Sequence, residues 1–184
     1  MALDDIIATM RSTRTALPLA APPSQPGVYA LFLVKDARLG QAPAAPESVA
    51  YVGISSNLAR RAMRQHFHTG SSGSSTLRRS LGAVLKDVLG LRAVHRSTGK
   101  SARDYTNYCF TADGEVRLTA WMHENLEISF HPTPDYVTLE MLLVHHLAPV
   151  LNIEHSANPY TATLKHLRTV CANEARQQKN LGLL

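Results

Sequence analysis

Apolar residues recur along this chain at two spacings, and each spacing marks a different kind of element. Leu3, Ile6, Ile7 and Met10 share one stripe of a helical period, which predicts a short amphipathic helix over about 3–12. Pro18, Pro22, Pro23 and Pro26 then exclude regular structure, because proline fixes φ and removes an amide donor. Residues 28–34 and 49–54 form two apolar runs rich in β-branched and aromatic side chains, and both read as buried strands. A loop with Gly40, Pro43 and Pro46 joins them, so antiparallel pairing is expected.

Ser55 or Ser56 can cap a helix over about 57–67. A Ser/Gly tract at 70–75 has the composition of a flexible linker, and Thr76 opens a second helix to about residue 89. Leu77, Leu81, Val84, Leu85 and Val88 form its inward stripe. A basic loop is expected at 90–99, and 101–118 carries no readable period. Thr119 caps a short helix through Asn125. Leu126, Ile128 and Phe130 alternate with Glu127 and Ser129, the pattern of a half-buried strand. Leu139, Leu142, Leu143 and Leu147 line a helix over about 135–146, and a last helix is expected over about 160–178. The order predicts an α/β (α+β) fold, a small central antiparallel three-stranded sheet flanked by helices, in one domain over 1–184.

Composition narrows the class. A hydrophobic content of 45% over 184 residues is that of a globular chain and argues against disorder. No apolar stretch approaches the ~20 residues that cross a bilayer, and the acidic N-terminus is unlike a signal peptide. Cys109 and Cys171 are too few for a disulfide framework, so two reduced thiols and a cytoplasmic setting are expected. His145, His146 and His155 lack a zinc-binding spacing. The net charge of +5 is unevenly placed: residues 51–103 hold ten Lys and Arg against the single acid Asp87. Such a block attracts polyanions, which favours nucleic acid as a partner without separating DNA from RNA.

Within that block the chemistry concentrates. Gly27-Val28-Tyr29 and Tyr51-Val52-Gly53 sit on the two apolar runs, and Arg60-Arg61 follows the second. Tyrosine and arginine both bind phosphate oxygens, and glycine would let the backbone approach a phosphate. Taken with Arg61 ten residues beyond Tyr51, Glu140 on a later helix and Asn152 twelve residues further, these motifs resemble the GIY-YIG nuclease family. The resemblance covers about 26–152. Valine replaces isoleucine in both tripeptides, which keeps the β-branched strand preference. The family often carries a histidine or tyrosine four residues after the arginine. Here that residue is Gln65, with His66 next and His68 one further turn on, and His66 is favoured for the role.

The resemblance implies a metal-dependent endonuclease that hydrolyses phosphodiester bonds, with DNA favoured. Glu140 would bind Mg²⁺ or Mn²⁺, Tyr29 would act as general base, and Tyr51 would hold the attacking water or the phosphate. Arg61 would bind the non-bridging oxygens, and Asn152 would orient the metal-bound groups. Arg60, Arg64, Arg78, Arg79 and Lys86 are read as contacts to the nucleic-acid backbone. Two rival readings are a nucleic-acid-binding module that kept the fold without catalysis, and a scaffold whose basic face meets an acidic protein.

Overall fold

The computed structural model describes residues 2–18, 22–44, 48–61 and 66–180. Helix α1 (Leu3–Ser12) buries Ile6, Ile7 and Met10, the stripe its spacing predicts. Strand β1 (Thr15–Ala16) follows, then β2 (Gly27–Leu33) and β3 (Val49–Ser55). Helix α2 (Leu58–Arg61) follows, and α3 (Thr76–Val84) is capped by the Ser75 hydroxyl. Next come β4 (Ala93–Val94), α4 (Ala102–Thr106), β5 (Cys109–Phe110) and α5 (Ala112–Asn125). Strand β6 (Leu126–Pro132), α6 (Tyr136–Leu147) and α7 (Thr161–Asn180) complete the order.

The main sheet is antiparallel in the order β1-β6-β2-β3, so it has four strands where three were expected. Strand β1 has two residues, too few to show an alternating pattern. The small β4–β5 ribbon lies where a basic loop and an unreadable stretch were expected, for the same reason. Helix α5 starts eight residues earlier than predicted, because Thr111 Oγ1 caps the Gly114 amide and the polar first turn hides the period. Helix α3 ends at Val84, but its course continues in turns, with Leu91 N donating to Lys86 O across Gly90 at φ +58°. Val88 falls beyond the helix and is 65% exposed instead of joining the stripe.

Strand β2 is buried along its whole length because helices cover both faces of the sheet. Val28, Ala30 and Phe32, with Val49 and Val52, pack against α1 and the Leu139, Leu143, Val144 and Leu147 face of α6. Tyr29, Leu31, Ala50 and Tyr51 belong to the other layer, with Leu77 and Leu81 of α3, Leu118 and Met122 of α5, and Cys171 and Ala175 of α7. Each fully buried aliphatic side chain contributes about 1.5–3 kcal/mol by leaving water. No helix among the described residues is long and apolar enough to cross a membrane.

Candidate active site

The β2–β3 register brings the two motif tyrosines together. Tyr29 lies opposite Gly53 and Leu31 opposite Tyr51, so the two phenols are diagonal neighbours on one face, with ring centroids 6.1 Å apart. A Cβ on Gly53 would overlap Tyr29 Oη and lie 2.6 Å from its Cζ and 2.8 Å from Tyr51 Cε1. That glycine houses the phenol. A Cβ on Gly27 would meet His131 O at 2.5 Å and Pro132 Cα at 2.8 Å, so this glycine lets β6 close against β2. Both motif glycines therefore serve protein packing, where an approach to phosphate was expected.

His66 is fully buried and reaches both rings, with centroids 5.3 Å from Tyr29 and 6.4 Å from Tyr51. Its Nε2 is 2.5 Å from Tyr29 Oη and its Nδ1 is 2.8 Å from Ser75 Oγ. His68 is exposed. Arg64 and Gln65 lie outside the described residues. Arg61 is half-buried, with its guanidinium in hydrogen-bonding reach of both phenol oxygens. With the exposed Arg60, it lines a cleft of about 320 Å³ completed by Ile54, Ser55, Ser56 and Tyr136.

Burial sets the protonation states. It holds Tyr29 well above the ordinary phenol range, the Tyr51 charge adds to this, and Arg61 opposes it. Tyr51 is also raised by burial, with Arg61 opposing and Glu140 adding. His66 is pushed well below the ordinary imidazole range, first by burial and then by Arg61 and Arg78, so its ring is neutral. Burial opposes the charge of Arg61, but the two phenols more than offset it and its pKa rises.

Glu140 follows buried Leu139 on α6, which packs against β3 and β2, and its carboxylate lies close enough to Tyr51 to raise that phenol. Burial pushes the Glu140 carboxyl upward; His155 opposes the shift and Glu154 reinforces it. The side chain is half-buried and has no hydrogen-bond or ion-pair partner among the described residues. Asn152 binds neither phenol. Its Oδ1 accepts from Val52 N at 2.9 Å and its Nδ2 donates to Val52 O at 2.8 Å. Leu151 N also donates to Ala50 O at 3.0 Å, so residues 151 and 152 pair with the edge strand on either side of Tyr51.

The basic block is spent differently from expectation, and Arg78 and Arg79 are not backbone contacts. Arg78 is 0% exposed, and it donates to Glu115 Oε2 at 2.7 Å, His66 O at 3.0 Å and Thr119 Oγ1 at 3.0 Å. Arg79 is 6% exposed and donates to the carbonyls of Ser72 and Gly73 at 3.0 and 3.1 Å. Its pKa is pushed down to about 10, first by burial and then by Arg168. Lys86 pairs with Glu174 at 3.2 Å, which neutralises it locally. Arg60, Arg92, Arg96, Lys100 and Arg103 remain exposed. The structure adds residues that the motifs did not reveal: Ser75 and Arg78 beside His66, Glu154 and His155 beside Glu140, and Arg168 near Tyr51. Only Ser75 carried a local signal, as a serine directly before a helix.

No group of three or more His, Cys, Asp or Glu able to hold a metal occurs among the described residues. A single half-buried carboxylate with no partner among the described residues still suits a hard divalent cation, because Mg²⁺ keeps several waters and takes other oxygens from a substrate phosphate.

An antiparallel sheet between helices thus carries two tilted neighbouring phenols, an arginine within reach of their oxygens and a histidine against one of them. The family model of the GIY-YIG catalytic domain matches residues 27–170, most of the chain, and the chain belongs to this nuclease family. No curated protein and no solved structure matches it. The match extends beyond Asn152 into α7, which includes Arg168.

Proposed function

We propose that this protein is a metal-dependent endonuclease that hydrolyses phosphodiester bonds in DNA. The observation that carries the reading is the convergence of Tyr29, Tyr51, Arg61 and His66 on one sheet face, within electrostatic reach of Glu140. Arg61 binds the non-bridging oxygens of the scissile phosphate and stabilises the charge that develops there. Tyr51, the more exposed phenol at 8% against 1%, holds the attacking water. Tyr29, ionised beforehand, takes the water proton and becomes a neutral phenol as the water oxygen bonds to phosphorus and the leaving oxygen departs with the bonding electron pair. The phenolate that this step consumes sits among donors, which offsets its burial. Glu140 would hold Mg²⁺ or Mn²⁺, and a bound cation supplies positive charge for the phosphate and the leaving oxygen. Asn152 keeps Tyr51 in register from the sheet edge. The free thiols of Cys109 and Cys171 suit a cytoplasmic setting.

The test is incubation of supercoiled plasmid and branched DNA with and without Mg²⁺. Cleavage that requires the cation and disappears in Glu140→Ala, with folding and DNA binding retained, supports the reading. Binding without cleavage under any divalent metal would replace it with the non-catalytic module. Affinity that holds steady from about 50 to 200 mM salt would exclude phosphate contacts altogether.

A further inference from the structure

Ser75 is fully buried and touches two parts of the site at once. Its Oγ caps α3 by accepting from Arg78 N at 3.1 Å, and it lies 2.8 Å from His66 Nδ1. No other polar partner of this hydroxyl occurs among the described residues. A serine hydroxyl has one proton to donate and two lone pairs to accept with, and a backbone amide can only donate. If His66 Nδ1 carried a proton, Ser75 Oγ would receive two donors and its own buried proton would meet no acceptor among the described residues. If Nδ1 is bare, it accepts the serine proton and every group is satisfied. A neutral imidazole has one N–H, which then sits on Nε2, 2.5 Å from Tyr29 Oη.

We propose that Ser75 is a positioning residue that holds His66 as its Nε2–H tautomer, so that the histidine donates to the Tyr29 oxygen and does not accept its proton. The donor is then in place before a phenolate forms, and it favours the ionised phenol over the neutral one. The environment of the ring agrees with a neutral imidazole, since burial and the Arg61 and Arg78 charges all disfavour a second proton. A second tie fixes the same loop, because Arg78 Nη1 donates to His66 O at 3.0 Å while Glu115 holds the guanidinium. The ring is thus set by Ser75 and its backbone by Arg78. The catalytic consequence rests on the nuclease reading; the tautomer does not.

Long-range ¹H–¹⁵N correlation spectra of the ¹⁵N-histidine-labelled full chain, without DNA, separate bare from protonated ring nitrogens. The expected result is a His66 ring with bare Nδ1 and protonated Nε2. Ser75→Gly removes the hydroxyl while keeping a tolerable helix start, and should mix the tautomers. It should also slow single-turnover cleavage about 10–100-fold, by analogy with the loss on removing the outer hydrogen-bond partner of a metal-ligating histidine. Ser75→Thr restores the hydroxyl and should restore both readouts. A wild-type ring protonated at Nδ1 overturns the proposal, as does a Ser75→Gly protein with unchanged tautomer and rate. If no variant cleaves DNA, the nuclease reading fails while the spectra still decide the tautomer.

Discussion

Replacing Glu115 with alanine would strand the most deeply buried charge among the described residues. Glu115 Oε2 accepts from Arg78 Nη2 at 2.7 Å and from Ser72 Oγ at 2.9 Å, and Oε1 accepts from Phe110 N at 3.1 Å. Both partners of the ion pair are essentially inaccessible, at 0% and 3% side-chain exposure. Removing one member of such a pair costs about 3–5 kcal/mol, because the remaining charge is left desolvated and unpaired. His66 O, Thr119 Oγ1 and Glu115 O still accept from Arg78, which keeps the expected loss within that range. With a urea slope of roughly 2 kcal/mol/M, the unfolding midpoint should fall by about 1.5–2.5 M, followed by Trp121 fluorescence. Arg78→Met should cost a similar amount. The double variant Arg78→Met/Glu115→Leu should regain much of the loss, since an apolar pair carries no desolvation penalty. A midpoint shift under about 0.5 M for Glu115→Ala would refute the reasoning. So would an Arg78→Met protein of unchanged stability whose DNA binding lost salt dependence, the signature of a phosphate contact.

Other perturbations test the site directly. Gly53→Ala should push the Tyr29 hydroxyl aside and cost about 1–3 kcal/mol in overpacking, with cleavage down about 10²-fold for a misplacement near 1 Å; wild-type activity in a folded Gly53→Ala protein would exclude this role for the glycine. The folded His66 pKa lies below the unfolded value of about 6.5, so the unfolded chain binds more protons in that window. Stability is therefore full above about pH 6.5 and falls as pH drops toward the folded pKa, by at most about 1.4 kcal/mol per pH unit from this group; denaturation of His66→Gln across that range should show a flatter acid limb. Both phenols are raised, so cleavage should keep climbing from about pH 6 to 9 without a histidine-like plateau, which single-turnover rates would reveal. Asn152→Ala unpairs the Val52 amide and carbonyl and should cost about 1–3 kcal/mol by thermal or urea unfolding.

Much of the site was legible in the chain, and the reasons differ by residue. Short motifs mark Tyr29, Tyr51 and Arg61 as candidates, since neighbouring strands and the helix after them place these residues by local geometry. The candidate histidine was narrowed to His66 or His68; the three-dimensional structure puts the first against Tyr29 and the second in solvent. The basic block misled because charge counts do not register burial. Arg78 and Arg79 find partners at Glu115, 37 residues from Arg78, and at the carbonyls of the turn preceding α3.

The amino-acid sequence alone determined the elements with sustained periodicity, α1, β2, β3, β6, α6 and α7, together with the order of the motif residues they carry. Those features arise from side-chain spacing within one segment, where each residue's preference adds to its neighbour's. Tertiary structure alone decided β1 and the β4–β5 ribbon, the Ser75–His66 contact and the Asn152 clasp on Val52. Each is a polar contact or a two-residue pairing between segments distant in the chain or across an irregular loop. Its free energy depends on what surrounds it after folding, and no local pattern records that surrounding.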